Sequence, residues 1–176
     1  IPIVNDIFPT AHHVHIIRDG RAVVNSVLYK LRYSDKEKDR PFQEEQIMYG
    51  PIPPELANPL QQPQALRYAS QWVYLVKRGR TASHLLGDRY HEIHYEDLAA
   101  TPREYMCGIL KHVQLQADEK FLERFPEKGQ DRNSTWQANQ PNHSAGWSQK
   151  RALTEADMTH LAVMNPLLQS LGYNID

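Results

Sequence analysis

Residues 12–28 read His-His-Val-His-Ile-Ile-Arg-Asp-Gly-Arg-Ala-Val-Val-Asn-Ser-Val-Leu. The run at 14–17 predicts a short strand, and its β-branched residues suit a buried parallel one. Asp19 is a good N-cap and Gly20 permits a sharp turn, so a helix is expected from Gly20 to about Tyr33. Val23, Val24, Val27, Leu28 and Leu31 recur at helical spacing along it. A strand that ends in a basic residue beside a helix N-terminus is a natural anion site, because free N–H groups and the positive dipole end favour a phosphate. Arg18 adds a planar, always-charged fork that can grip two phosphate oxygens. Ser26 falls two turns into the helix and can face the same side as the strand end. The competing readings are a surface ion pair between Arg18 and Asp19, and a Ser26 hydroxyl bonded back to its own helix carbonyls. Arg21, in the first helical turn, either reaches the same phosphate or points to solvent.

The rest of the composition narrows the partners. The chain has 176 residues, a length that suits one domain. Twenty basic residues face twenty-one acidic ones, so no broad field exists for a nucleic-acid backbone or an anionic membrane. An anionic ligand must therefore meet a local basic cluster. The single cysteine, Cys107, excludes an intrachain disulfide and fits a reducing compartment. It sits in an apolar stretch and is expected to be buried packing. No apolar run approaches membrane-spanning length and no secretory leader is visible, which favours a cytoplasmic location. Nine histidines raise the question of a metal. Strand alternation separates adjacent residues onto opposite faces, and no third spaced ligand joins either histidine group, so no metal is expected. No G-x-S-x-G elbow occurs either.

Further along, residues 34–63 carry six prolines from Pro41 to Pro63 and read as a lid or insertion rather than as core. A long helix is expected from about 63 to 86, with Leu66, Ala69, Trp72, Val73, Val76 and Leu85 on its apolar side. Arg78 and Arg80 beside Gly79 are expected at the surface. A second strand is expected over 90–95, then a helix to about His112 with Pro102 in its first turn, then a short helix over 117–124. Residues 126–152 are polar and read as a loop. Thr154 with Asp157 three residues later signals a capping box. The last helix should reach Ser170, kink at Pro166 and stop at Gly172. Residues 5–9 should end a helix with Ile7 and Phe8 packed inward. Two strands cannot bury both faces of a parallel sheet alone, so a larger helix-covered sheet is expected.

Three segments in order resemble the sulfotransferase family. The first is Arg18-Asp19-Gly20-Arg21-Ala22-Val23-Val24-Asn25-Ser26. It is similar to the segment with which sulfotransferases hold the 3′-phosphate of 3′-phosphoadenosine 5′-phosphosulfate (PAPS). The second is Tyr95-Glu96-Asp97-Leu98 followed by Pro102. The third is Gly146-Trp147 followed by Leu168-Gln169-Ser170-Leu171-Gly172-Tyr173.

The resemblance implies an α/β fold, the three-layer, P-loop NTPase-like parallel sheet of sulfotransferases, here incomplete at its N-terminus. It implies transfer of a sulfuryl group from PAPS to a hydroxyl or amine of a small-molecule or glycan acceptor. Arg18, Ser26 and, less directly, Arg21 would hold the 3′-phosphate, Tyr95 would lie by the adenine, and Gly146 and Trp147 would close over the nucleotide. The basic residue expected just before Gly146-Trp147 is absent. Glu96 and Asp97 read as helix N-terminal charges rather than as a catalytic pair. The 34–63 insertion would shape the acceptor side. No phosphosulfate loop of the G-x-x-x-x-G-K-S/T kind occurs. The chain is thus expected to be the C-terminal part of such an enzyme, inactive alone, with its catalytic residues on an upstream segment or another copy. The alternatives are a non-catalytic nucleotide-binding or interaction module and a P-loop kinase relative.

Overall fold

The computed structural model describes residues 2–33, 50–125 and 153–175. The expected 126–152 loop, with Gly146 and Trp147, lies outside these residues, as does the 34–49 part of the insertion. The chain divides into two units, residues 1–18 with 76–133 and residues 19–75 with 134–176.

The first unit is built on a parallel pair of strands, which makes the chain an α/β protein. Helix α1 (Pro2–Ile7) leads into β1 (His13–Ile17), which pairs with β2 (Tyr90–His94) in the register His13↔Tyr90, His15↔Glu92, Ile17↔His94. Ile17 and Ile93 are buried. Ile7 and Phe8, expected to pack inward, are instead 63% and 60% exposed. Helix α1 is a short helix, too brief to form a full apolar stripe. Tyr95, expected to end the second strand, opens helix α5 (Tyr95–Ala100). Helix α6 (Pro102–His112) follows, with proline in its first turn, where the missing N–H costs nothing. None of its residues is fully buried, so Cys107 is half-buried rather than a core residue. Asp118 caps the one-turn helix α7 (Glu119–Leu122).

In the second unit, α2 (Gly20–Tyr33) buries Ala22, Val24 and Leu28. Helix α3 (Gln64–Thr81) buries Ala65, Tyr68, Ala69 and Trp72, an i, i+3, i+4, i+7 stripe. Its last residues, from Val76, belong to the first unit. The expected single helix to 86 is broken at Ala82, after which the short α4 (Ser83–Leu86) leaves Leu85 53% exposed. The Thr81 hydroxyl donates back to the Lys77 carbonyl at 2.9 Å, a contact that loosens a helix end.

The capping box is formed as read: Thr154 and Asp157 bond reciprocally at the start of α8 (Glu155–Leu161). A 3₁₀ turn, Ala162–Met164, separates it from α9 (Asn165–Ser170). The chain thus interrupts before Pro166, which sits in the first turn of a new helix rather than inside a kinked one. After Ser170, Gly172 adopts φ +81°, Gly172 N–H donates to Gln169 and Tyr173 N–H donates to Leu168. This is a Schellman stop.

Candidate functional site at the strand ends

Parallel pairing sets Ile17 opposite His94. The next residue on each strand, Arg18 and Tyr95, therefore emerges side by side at the C-terminal edge of the sheet. The Arg18 guanidinium lies over the Tyr95 ring, 4.8 Å from its centroid. Such a contact contributes about 0.5–2 kcal/mol.

Asp19 starts the second unit and is 2% exposed. Its carboxylate accepts from the Arg21 backbone N–H at 2.8 Å and from Arg21 Nε and a terminal nitrogen at 3.1 and 2.7 Å. The N-cap reading of Asp19 is thus realised in geometry. One consequence was not legible beforehand: the start of α2 is filled by the chain's own carboxylate. Arg21 is itself buried and forked onto that carboxylate, neither pointing to solvent nor holding its fork open. Gly20 is required here, since a Cβ would come within 2.6 Å of Met164 Sδ and of the Trp72 ring. Ser26 is exposed on α2, beside the buried Val24, Asn25 and Leu28.

Behind the strand edge, the first unit holds a polar network that sequence reasoning missed. His15 Nδ1 lies 2.6 Å from the Tyr90 hydroxyl, which donates to Glu92 at 2.7 Å. Arg80 Nε reaches the other Glu92 oxygen at 3.3 Å, so Arg80 is an ion-paired residue rather than a plain surface one. Burial, and then the bond to Glu92, raise the Tyr90 pKa. Burial lowers that of His15, against the opposing pull of Glu92. The Gly79 backbone packs directly on the His15 ring. Residues 13, 15, 90 and 92 share one face by alternation, but only the register between the strands reveals it. Near the strand starts, His112 stacks on His91 and meets the edge of His12, each at 5.0 Å between centroids. Among the described residues, no group of three or more His, Cys, Asp or Glu side chains is arranged to hold a metal ion.

The family model of the sulfotransferase family matches residues 1–119, which include both strands and both strand ends. The chain belongs to the sulfotransferase family. The match takes in the first two segments of the resemblance and stops before the third, which contains Gly146, Trp147 and residues 168–173. No curated protein and no solved structure matches the chain. Among the described residues of this sulfotransferase-family chain, no helix is long and apolar enough to cross a membrane. Members of the sulfotransferase family generally use PAPS as the sulfuryl donor.

Proposed function

We propose that this protein transfers a sulfuryl group from PAPS to a hydroxyl or amine of a small-molecule or glycan acceptor. In that reaction the acceptor oxygen or nitrogen bonds to sulfur, the bond from sulfur to the 5′-phosphate breaks, and adenosine 3′,5′-bisphosphate leaves. The observation that carries the reading is Arg18 held over Tyr95 at the C-terminal sheet edge. Arg18 donates to the 3′-phosphate, Tyr95 lies against its guanidinium and borders the adenosine, and Ser26 adds a hydroxyl donor. Arg21 pairs with Asp19 and neutralises its carboxylate. Ile16 is 49% exposed on a sheet that has two strands among the described residues. That supports placing the pair in a larger, P-loop-like parallel sheet covered on both faces.

Calorimetry with adenosine 3′,5′-bisphosphate tests this. Arg18→Ala should weaken binding by about 1.5–3 kcal/mol, the range for a hydrogen bond to a charged group. Ser26→Ala should cost about 0.5–1.5 kcal/mol. Unchanged affinity in the arginine variant rules out the assignment.

A further inference from the structure

Three imidazoles from distant parts of the chain meet at the strand starts. His91, the second residue of β2, stacks on His112, in the last turn of α6, and His12, just before β1, meets the same ring edge-on. His12 and His91 share one face of the strand pair, since Val14 stands opposite His91. His112 therefore fastens the end of α6 to both strands. Its Nε2 lies 3.2 Å from the Arg89 carbonyl, which can only accept, so this nitrogen carries a proton. His12 Nδ1 is buried and has no hydrogen-bond partner, and His13 Nε2, on the other face, is in the same position. A neutral imidazole can leave one bare nitrogen as an unused acceptor. A protonated one carries an N–H donor at both nitrogens and a full charge, and a buried cationic donor without a partner is costly. The surroundings do not answer such a charge. Arg89 directs its fork to neutral oxygens, the Ala11 carbonyl and Asn5 Oδ1, at 3.2 and 2.9 Å. The last turn of α6 adds a further cation, Lys111. Glu92 lies on the opposite face, bound to Tyr90 and Arg80. Among the described residues, no carboxylate pairs with Arg89, His12, His13, His91 or His112. Burial, and then the neighbouring His112, accordingly lower the pKa of His91.

We propose that His12, His91 and His112 form an acid-operated latch, which holds the end of α6 on the strand starts while the rings are neutral and releases it when they take up protons. Each proton places like charge against the next ring, 5.0 Å away between centroids, in a cluster that already contains Arg89. The rings then separate and the buried nitrogen of His12 reaches water. The release is a local opening, lying below global unfolding in free energy. It stands on the histidine geometry and does not depend on the sulfotransferase reading.

Amide hydrogen exchange of the full chain at pH 7.5 and 5.5, corrected for the intrinsic effect of pH, tests this. Protection of residues 109–112, at the end of α6, should fall in acid by about tenfold for each unit by which a histidine pKa is held down. Protection of residues 24–28, inside α2, should fall much less. Equal loss at both places is global unfolding, and no loss in α6 means that nothing is released; either result overturns the proposal. His112→Phe keeps a flat ring that cannot take a proton. It should abolish the acid-specific loss, and the His91 imidazole resonance should titrate at higher pH than in the parent chain, because the neighbouring charge is gone. A loss that survives this change belongs to other histidines, such as His13, and an unmoved His91 titration shows that the rings are not coupled; both sink the latch. Should His112→Phe fail to fold, His12→Phe takes its place on the other side of the cluster. It should shrink the loss in α6, and an undiminished loss counts against the proposal in the same way.

Discussion

Asp19 shows how one carboxylate can serve two demands. It caps α2, pairs with Arg21 and does both while 2% exposed. Removing one member of a buried pair leaves the other charge uncompensated, which typically costs about 3–5 kcal/mol. Asp19→Ala should therefore lower the stability from urea unfolding by that amount. A loss below about 1 kcal/mol, the size of a cap alone, would show that the Asp19–Arg21 pair adds little. Gly79 makes a different demand. A Cβ there would fall 2.5 Å from the His15 ring. Gly79→Ala should cost about 1–3 kcal/mol as an overpacked contact, despite the gain in helix propensity. If alanine instead stabilises the protein, the close packing of α3 on β1 is not maintained in solution.

The protein should respond to acid in two stages. Burial lowers the pKa of His13, with Arg89 as the next cause, and burial also lowers that of His91, beside His112. His15 shifts the same way. Each depressed histidine contributes stability that is complete above the ordinary value of 6.5 and is lost as pH falls toward the lowered value, because the unfolded chain binds the proton first. The midpoint of urea unfolding should thus be lower at pH 5.5 than at 7.5, and His91→Phe should reduce the difference. Equal midpoints in the parent protein would refute it. The second stage involves Asp157. Burial alone would raise its pKa, but bonds from Arg32, at 2.9 and 3.2 Å, and from Thr154 outweigh burial and lower it. Its contribution is present above the ordinary value of 3.8 and disappears as pH falls through the lowered one. At the other end of this region, the helix stop at Gly172 requires a left-handed residue at φ +81°. Gly172→Ala should lose about 1–2 kcal/mol.

For the protein as a unit of function, nucleotide binding should couple to stability. A ligand that binds only the folded state adds RT ln(1 + [L]/Kd), about 2.7 kcal/mol at one hundred times Kd. Adenosine 3′,5′-bisphosphate should accordingly raise the unfolding temperature of the parent chain and do so far less in Arg18→Ala. A rise of equal size in both would place the nucleotide elsewhere.

Local rules carried most of the element list. Strand 14–17, the helix from Gly20 to Tyr33, the proline-started helix at Pro102, the Thr154–Asp157 box and the Gly172 stop all follow from propensities and caps that act within a few residues. The family, too, was readable from short segments that come in order along the chain. What needed the tertiary structure were the contacts between distant residues. The parallel register set Arg18 against Tyr95 and linked His15, Tyr90 and Glu92 on one face. Packing left Ile7 and Phe8 outside, broke the helix at Ala82 and set His112 against both His12 and His91. Burial and pairing across the chain are set by what else occupies the space, and periodicity along a single helix or strand carries no information about that.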